Sequence, residues 1–443
     1  MNNTTQPPHP PLEGPDPTPI LRRFQVELPD VERHVVLPDH VKYSREFVDI
    51  DLAHLPLGPV APSFLSFLYT LNVEKLAQKL HDLLTPCVVG YGLQLRRSGA
   101  VVIDQTWRWS KTKKDGETGW TNDTPMHLAS VSKLITAMAL VRLLDRKGIS
   151  YDTPVNSYLP SYWTRGNNIS KVTFRHLLTH KSGLLWRNFT GNTGPVDYQS
   201  MMDAIADGTN GFTNYDYKNI NYSLCRVLLA TVNGDLPVDF MLSPPGGFFA
   251  PLFALRDAVW DLLSIRAYAE YVNDRVFSPS SVGSRAFEHD ADAALAYASQ
   301  GDSTNGWNSG DMQSGSATAG WHLTVRELLR VMRTFRRAGT IMSPFRAERM
   351  LDNGFGIDMA RPTKLGTIYG KNGWWENGSK QAEQSSAYLL PRNMELVVLA
   401  NSPSCGGMSV FNKVADAIED CIEFRIWSVL VAAAGKLIGR VSG

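Results

Sequence analysis

The sequence predicts an α/β protein in which an antiparallel sheet flanked by helices is interrupted by a mainly helical domain. Strand-like segments lie near both ends of the chain, whereas the middle contains helical patterns and few convincing strands. With 443 residues, the chain is long enough for more than one domain around a sizeable core. We expect residues 64–149 and 339–443 to form the sheet domain and residues 150–338 the helical domain, with an insertion at about 234–260 and an extended Pro-rich arm at 1–63.

The first part of the chain predicts a helix, a hairpin and a second helix. Residues 73–84 have helical apolar spacing, and the strands 88–97 and 100–107 meet at Ser98-Gly99, a hairpin signal. Residues 130–147 are apolar nearly all round until 141, which is typical of a buried helix, and Gly148 would end it.

The later part of the chain predicts a helix, a long loop, three strands and a terminal helix. The helix covers residues 265–277, the strands 365–369, 385–390 and 396–400, and the terminal helix 411–438. Residues 236–255 are rich in Pro, Gly and Phe, so we expect no regular helix or strand there. Such a stretch would either cover an active site or fill an interface.

Composition excludes several classes of protein. The chain has 44 Lys and Arg against 43 Asp and Glu, which gives no electrostatic reason to expect a nucleic-acid partner. Hydrophobic residues make up 43% and charged residues 20%, as in globular rather than disordered proteins. The first residues lack an apolar signal segment and residues 426–435 are too short to span a bilayer, so we expect a cytoplasmic protein without a membrane span.

The four cysteines are far apart and form no Cys-x-x-Cys pair. This spacing suggests neither a zinc site nor a disulfide framework, so we expect unpaired buried thiols at Cys87, Cys225, Cys405 and Cys421.

A Ser-x-x-Lys pair is the main catalytic candidate. A serine and a lysine three residues apart share a helix face, so the amine can reach the hydroxyl. Two such pairs exist: Ser110 and Lys113 lie in a Lys-rich loop, whereas Ser130 and Lys133 begin the apolar helix. A lysine ammonium in a core is costly unless it is paired or neutralised. We therefore favour Ser130 and Lys133, the alternative being a lysine that extends from a core helix to solvent.

The residues around this pair resemble a known family. Residues 123–133 resemble the nucleophile segment of the class C β-lactamases and the penicillin-binding-protein-like serine hydrolases, and residues 152–160 and 172–184 extend the resemblance. It covers about residues 88–401 and implies a β-lactamase/transpeptidase-like fold. In this family the segment 172–184 is structural, so His180 is expected to pack and to form hydrogen bonds.

The family has a second motif, Tyr-x-Asn, for which the chain offers two candidates. Tyr217 and Asn219 open a loop-to-helix passage that resembles the family, whereas Tyr271 and Asn273 lie inside an ordinary amphipathic pattern. We therefore assign the motif to Tyr217 and Asn219.

The third motif, Lys-x-Gly on a strand, is best matched at Lys371. Other Lys-x-Gly triplets begin at Lys114 and Lys181, but only Lys371 follows a strand-like stretch and precedes another strand pair. Asn372 stands where the family has a hydroxyl residue, which weakens carboxylate recognition of the β-lactam type. Gly373 would let substrate lie against the backbone, and Trp374 follows it.

The resemblance implies a mechanism for these residues. Ser130 would form an acyl-enzyme with Lys133 as base, and Tyr217 would return the proton to the leaving group. The backbone N–H groups of Ser130 and Trp374 would bind the oxyanion, and Asn219 would orient Lys133 and the substrate. The positive charge of Lys371 would lower the pKa of Lys133, and no metal or cofactor is required.

These expectations add up to a serine hydrolase acting on a small ester or amide. An acyltransferase, a transesterase, a true β-lactamase or a D,D-peptidase could use the same residues, and a non-catalytic scaffold is a further alternative. The oligomeric state is open.

Overall fold

The computed structural model describes Ser66 and residues 68–185, 196–212, 214–240, 250–299, 305–406 and 409–424. The helices in this part of the chain are α1 Val73–Leu84, α2 Ser132–Lys147, α3 Phe174–Leu178, α4 Tyr198–Asp207, α5 Ile220–Asn233, α6 Ala250–Val272, α7 Ser316–Ala319, α8 Val325–Arg333, α9 Pro344–Asp352 and α10 Phe411–Asp420. The strands are β1 Tyr69–Leu71, β2 Gly90–Arg97, β3 Ala100–Lys111, β4 Thr118–Gly119, β5 Met126–His127, β6 His322–Leu323, β7 Met359–Thr363, β8 Gly366–Glu376, β9 Ala382–Leu390, β10 Met394–Ala400 and β11 Ile422–Phe424.

The main sheet has seven antiparallel strands in the order β4-β3-β2-β10-β9-β8-β7. Strands from both parts of the chain meet in its centre, where β2 pairs with β10 in the register Leu93 to Val398. The predicted architecture, an antiparallel sheet flanked by helices, is therefore confirmed. The boundaries proposed for the sheet and helical domains stay a prediction, and α8 packs on β10 although it lies within 150–338.

The central strands are buried on both faces because helices cover each side of the sheet. Every residue of β9 and β10 is buried. Leu396 and Val398 face a core that includes α1 and α10, whereas Val397 and Leu399 face a larger core that includes α2, α5 and α8. Alternate side chains of a strand point to opposite faces, so one strand serves both cores.

Helix α2 lies in the middle of the larger core, and its first turn carries the catalytic candidates. Its residues Ser132 to Val141 are all buried, and Gly148 ends the helix with the left-handed φ of 66°. Glycine adopts this conformation without the steric cost that a side chain brings. The helix predicted at residues 130–147 is therefore present, with a short 3₁₀ turn over Ala129–Val131 preceding α2.

Two cysteines form a disulfide, which corrects the expectation of four free thiols. Cys87 and Cys405 are bonded across 318 residues of sequence, whereas Cys225 and Cys421 are free and buried. Cys87 precedes β2 and Cys405 follows β10, so the pairing of these two strands brings the cysteines together. No local spacing in the sequence reports this proximity.

Two predicted elements differ from those observed. The helix expected over 411–438 ends at Asp420, because Ile422–Phe424 forms β11 and pairs with β1; residues 425–438 lie outside the described part. Residues 250–255, expected to be irregular, begin helix α6, since a proline in the first turn of a helix loses no hydrogen bond. Residues 241–249 of the same stretch are not described.

Within the described ranges, we find no helix whose length and apolar character would let it cross a bilayer.

Candidate active site

Ser130 lies in the 3₁₀ turn that leads into α2. The preceding residue, Ala129, has a φ of 46°, a conformation that is unfavourable for a residue with a side chain. Hydrogen bonds from Val131 N–H to the Leu128 carbonyl (3.1 Å) and from Leu128 N–H to the Trp321 carbonyl (2.8 Å) hold the turn. Ser130 is half-buried while its neighbours on both sides are buried, so the turn presents this one serine to the outside.

Lys133 is fully buried one turn further along, with its amine against Ser130. Its Nζ lies 2.9 Å from Ser130 Oγ and 3.0 Å from the Thr318 carbonyl. Burial lowers the pKa of Lys133 well below its ordinary value, the charge of Lys371 lowers it further, and Asp358 opposes both effects. This lowered pKa favours the neutral amine, whose lone pair can accept the Ser130 proton.

Tyr217 approaches Ser130 from the other side. Its Oη donates a hydrogen bond of 2.6 Å to Ser130 Oγ. Burial, and then the negative charge of Asp358, raise the pKa of Tyr217, while the bond to Ser130 opposes this rise. The phenol therefore keeps its proton and can deliver it to an atom that binds beside Ser130.

His180 holds the ring of Tyr217. The two rings stack with centroids 4.4 Å apart, and His180 Nδ1 accepts a hydrogen bond of 3.3 Å from Lys218 N–H. Burial, followed by the charges of Lys371 and Lys133, lowers the pKa of His180 well below its ordinary value. A neutral, buried imidazole against Tyr217 is consistent with the packing role expected for His180.

The competing tyrosine lies elsewhere. Tyr271 lies on α6 and lines a cavity of about 380 Å³ together with Leu143 and Arg146. Leu143 is near the last turn of α2, whereas Ser130 precedes its first turn, which puts roughly 20 Å of helix between them at about 1.5 Å per residue.

Lys371 is buried on β8 and forms an ion pair that the sequence analysis missed. Its Nζ lies 2.6 Å from Asp358 Oδ1 and 5.1 Å from the centroid of the Tyr217 ring. Burial lowers the pKa of Lys371, and the partner carboxylate opposes the change. Asp358 belongs to no motif, but the β7–β8 hairpin has Met359 opposite Gly370, and extending this register by one residue sets Asp358 opposite Lys371.

Gly373 brings β8 against the 3₁₀ turn Ala129–Val131, which carries Ser130 and is called the nucleophile turn below. A Cβ atom at this position would lie 2.2 Å from Ser385 Oγ and 2.4 Å from the Leu128 carbonyl oxygen. The absent side chain therefore allows the strand to approach the turn that carries Ser130. The expectation that substrate lies against the backbone at Gly373 stays a prediction.

The backbone of β8 alternates between its paired side and its open side. The Gly370 carbonyl accepts a hydrogen bond from Asp358 N–H, and Asn372 N–H donates to Asp358 Oδ2 (3.0 Å), so these residues point away from β9. Trp374 is the next residue in this alternation, and its N–H therefore points to the same open edge. This orientation suits the oxyanion role expected for Trp374.

The side chains of Asn219 and Asn372 differ in their hydrogen bonds. The backbone carbonyl of Asn219 accepts hydrogen bonds from Tyr222 and Ser223, but its buried side-chain Oδ1 has no partner among the described residues. No described hydrogen bond joins Asn219 to Lys133, so Asn219 is better placed to receive a ligand N–H than to orient the amine. Asn372 Oδ1 accepts a hydrogen bond of 2.8 Å from Ser409, which engages this side chain within the protein.

Known proteins share parts of this chain. The family model described as Beta-lactamase matches residues 77–242, a segment that contains Ser130, Lys133 and Tyr217 but not Lys371. Esterase EstB from Burkholderia gladioli is 34% identical over 147 residues, which are 31% of this chain and 36% of that protein. Penicillin-binding protein 4* from Bacillus subtilis (strain 168) is 31% identical over 125 residues, or 26% of each chain. The matched segments thus span about a third or less of these relatives.

The fold similarity extends further than the sequence similarity. The beta-lactamase/D-alanine carboxypeptidase of Yersinia pestis superimposes with a TM-score of 0.54 at 15% identity, covering 81% of this chain and 97% of that one. At this identity the match establishes the fold alone.

Proposed function

Because residues 77–242 match the β-lactamase family model, we propose that this chain is a serine hydrolase whose Ser130 forms an acyl-enzyme with a small ester or amide. The observation that carries the proposal is the position of Ser130 Oγ, 2.9 Å from the Lys133 amine and 2.6 Å from the Tyr217 hydroxyl. The lowered pKa of Lys133 favours an amine that can accept a proton, and the raised pKa of Tyr217 favours a phenol that can donate one.

Acylation follows from these two protonation states. Lys133 Nζ takes the Ser130 proton as Oγ attacks the carbonyl carbon, and the N–H groups of Ser130 and Trp374 bind the oxyanion. When the tetrahedral intermediate collapses, the bond to the leaving group breaks and that group takes the proton of Tyr217. The Lys133 ammonium then returns a proton to Tyr217, so that the amine is neutral again.

Deacylation repeats the steps with water in place of the alcohol or amine. Lys133 accepts a proton from water as the water oxygen attacks the acyl carbon, and Tyr217 gives its proton to Ser130 Oγ as the acyl bond breaks. The Lys133 ammonium then returns a proton to Tyr217. Asn219 Oδ1 is buried and has no hydrogen-bond partner within the described ranges, so it would accept an N–H of an amide substrate. The relative that carries the name esterase supports an ester as acyl donor.

Active-site labelling tests the proposal. Incubation with a fluorophosphonate should add one adduct per chain, measured by intact mass, and Ser130→Ala should remove the adduct. Hydrolysis of a p-nitrophenyl ester should fall by roughly a thousandfold or more in Ser130→Ala and nearly as far in Tyr217→Phe, because groups that act as a unit are not additive.

Tyr271→Phe is the matched control, since it removes the same hydroxyl near the opposite end of α2. It should hydrolyse the ester at the wild-type rate. An active Tyr217→Phe variant together with an inactive Tyr271→Phe variant would show that the motif assignment is wrong, and a labelled Ser130→Ala variant would overturn the nucleophile.

A further inference from the structure

We propose that the Asp358 carboxylate fills the place beside the Lys371 ammonium that a substrate carboxylate would otherwise take. The site would thereby select acyl donors that carry no carboxylate. The inference rests on the proposed function and names the substrate class: uncharged esters and amides are accepted, and acyl groups with an anionic end are rejected. A substrate carboxylate needs a cation or free hydrogen-bond donors to replace its hydration.

Asp358 uses both of its carboxylate oxygens at the site. Oδ1 lies 2.6 Å from Lys371 Nζ, and Oδ2 accepts a hydrogen bond of 3.0 Å from Asn372 N–H. The Lys371 side chain is 1% exposed and that of Asp358 is 19% exposed. The carboxylate is thus the member of the pair that solvent and ligands can reach, and the ammonium lies behind it.

The other two lysines around Tyr217 do not supply a replacement. Lys133 is fully buried, its Nζ lies 2.9 Å from Ser130 Oγ and 3.0 Å from the Thr318 carbonyl, and burial lowers its pKa well below the ordinary value. Lys218 Nζ lies 3.0 Å from Asp216 Oδ2 and donates a hydrogen bond of 2.8 Å to the Leu184 carbonyl. Lys133 is therefore enclosed, Lys218 and Lys371 each share their charge with a carboxylate, and Asp358 repels a second anion.

A pair of substrates isolates this effect. p-Nitrophenyl hexanoate and mono-p-nitrophenyl adipate have the same number of acyl carbons and the same leaving group, and differ in a terminal carboxylate. Wild-type protein should hydrolyse the hexanoate with a kcat/KM at least about tenfold higher than that for the adipate. The reason is that an unpaired anion near Asp358 raises the free energy of the transition state for the adipate alone.

Asp358→Asn should shrink this ratio by about tenfold or more, since the amide preserves the shape of the side chain and frees the charge of Lys371. The ratio is the readout because any loss of general activity in the variant affects both substrates. Asp416→Asn is the matched control: it removes a carboxylate from an exposed ion pair with Arg361 and should leave the wild-type ratio unchanged.

The outcomes separate this inference from the proposed function. If the wild type is labelled at Ser130 and hydrolyses both esters equally, or if Asp358→Asn folds and keeps the wild-type ratio, Asp358 does not select the substrate. If Ser130 is not labelled and neither ester is hydrolysed, the proposed function itself fails. Equal hydrolysis of the two esters by the wild type overturns the inference even if Asp358→Asn does not fold.

Discussion

The burial of Lys133 favours a neutral amine and costs stability. The side chain is fully buried, and burial and the nearby Lys371 hold its pKa well below 10.5. In the unfolded chain the same lysine binds a proton up to about pH 10.5. At any pH between the lowered folded pKa and 10.5, folding must release that proton, which makes the native state less stable than it would be with an apolar side chain.

Replacing Lys133 with methionine should remove this loss of stability, and the resulting gain in the free energy of unfolding should depend on pH. Between the lowered folded pKa and 10.5, the unfolded wild-type chain binds one more proton than the folded chain, so its stability rises with pH. The methionine variant lacks this dependence. Its stability relative to wild type should increase by about 1.4 kcal/mol for each pH unit below 10.5, until the folded pKa is reached.

Urea unfolding at several pH values from 7 to 10.5 measures this difference. Lys147→Met is the control, because Lys147 is an exposed lysine in the last turn of the same helix. Its stability curve should run parallel to that of wild type. Parallel curves for Lys133→Met as well would mean that Lys133 is charged in the native protein.

Among the elements, β8 and the nucleophile turn depend on each other at Gly373. A Cβ there would overlap the Leu128 carbonyl and Ser385 Oγ, whose own hydrogen bond of 2.5 Å joins the turn to β9. Gly373→Ala should therefore push the strand away from the turn, with a loss of about 1–3 kcal/mol in the free energy of unfolding. A displacement near 1 Å at the reacting groups should cost about a hundredfold in kcat/KM.

Gly378→Ala tests whether the effect is specific. Gly378 follows β8, and a Cβ at that position would have no neighbour within 4 Å. This control should retain wild-type stability, measured by urea unfolding, and wild-type ester hydrolysis. If Gly373→Ala behaves like Gly378→Ala, the close approach of β8 to the turn is not required for activity.

The elements that the sequence predicted are those specified by neighbouring residues. Helix α1 begins at Val73 because the Asn72 side chain caps its first turn, and α2 ends at Gly148 for the reason given above. Strand β11 was missed because its partner β1 lies about 350 residues earlier, and local hydrophobic periodicity does not indicate pairing between such distant segments.

The same distinction applies to the active site. Ser130, Lys133, Tyr217 and Lys371 stand in short motifs that can be read locally. Asp358 has no motif, and only the register of the β7–β8 hairpin brings it to Lys371. Charge pairs set by strand register are found from sequence only when the hairpin itself is predicted, and the predicted strand over residues 365–369 was given no partner.

For the molecule as a whole, the disulfide between Cys87 and Cys405 joins distant parts of the chain. Of its four cysteines, denatured protein should expose two to a thiol reagent before reduction and all four after it. The double variant Cys87→Ser, Cys405→Ser should be less stable by about 2–4 kcal/mol, because the bond restricts the unfolded chain. The melting temperature with and without reductant gives the same comparison without mutation.

Four reactive thiols in unreduced, denatured protein would contradict the bond, and Cys225→Ser serves as the control that leaves it intact. Disulfides of this kind persist where thiols are oxidised, so the bond counts against the cytoplasmic location expected from the sequence.

The position of β10 between β2 and β9 has a consequence for biosynthesis. Roughly 300 residues separate the end of β2 from the start of β10, so a ribosome adding about 5–20 residues per second delivers the partner strand tens of seconds later. Throughout that interval β2 has one unpaired edge with Leu93 and Leu95 beside it, a surface that pairs readily with other nascent chains. Slower initiation or a holding chaperone should therefore raise the soluble yield, since both reduce encounters between chains that are waiting for β10.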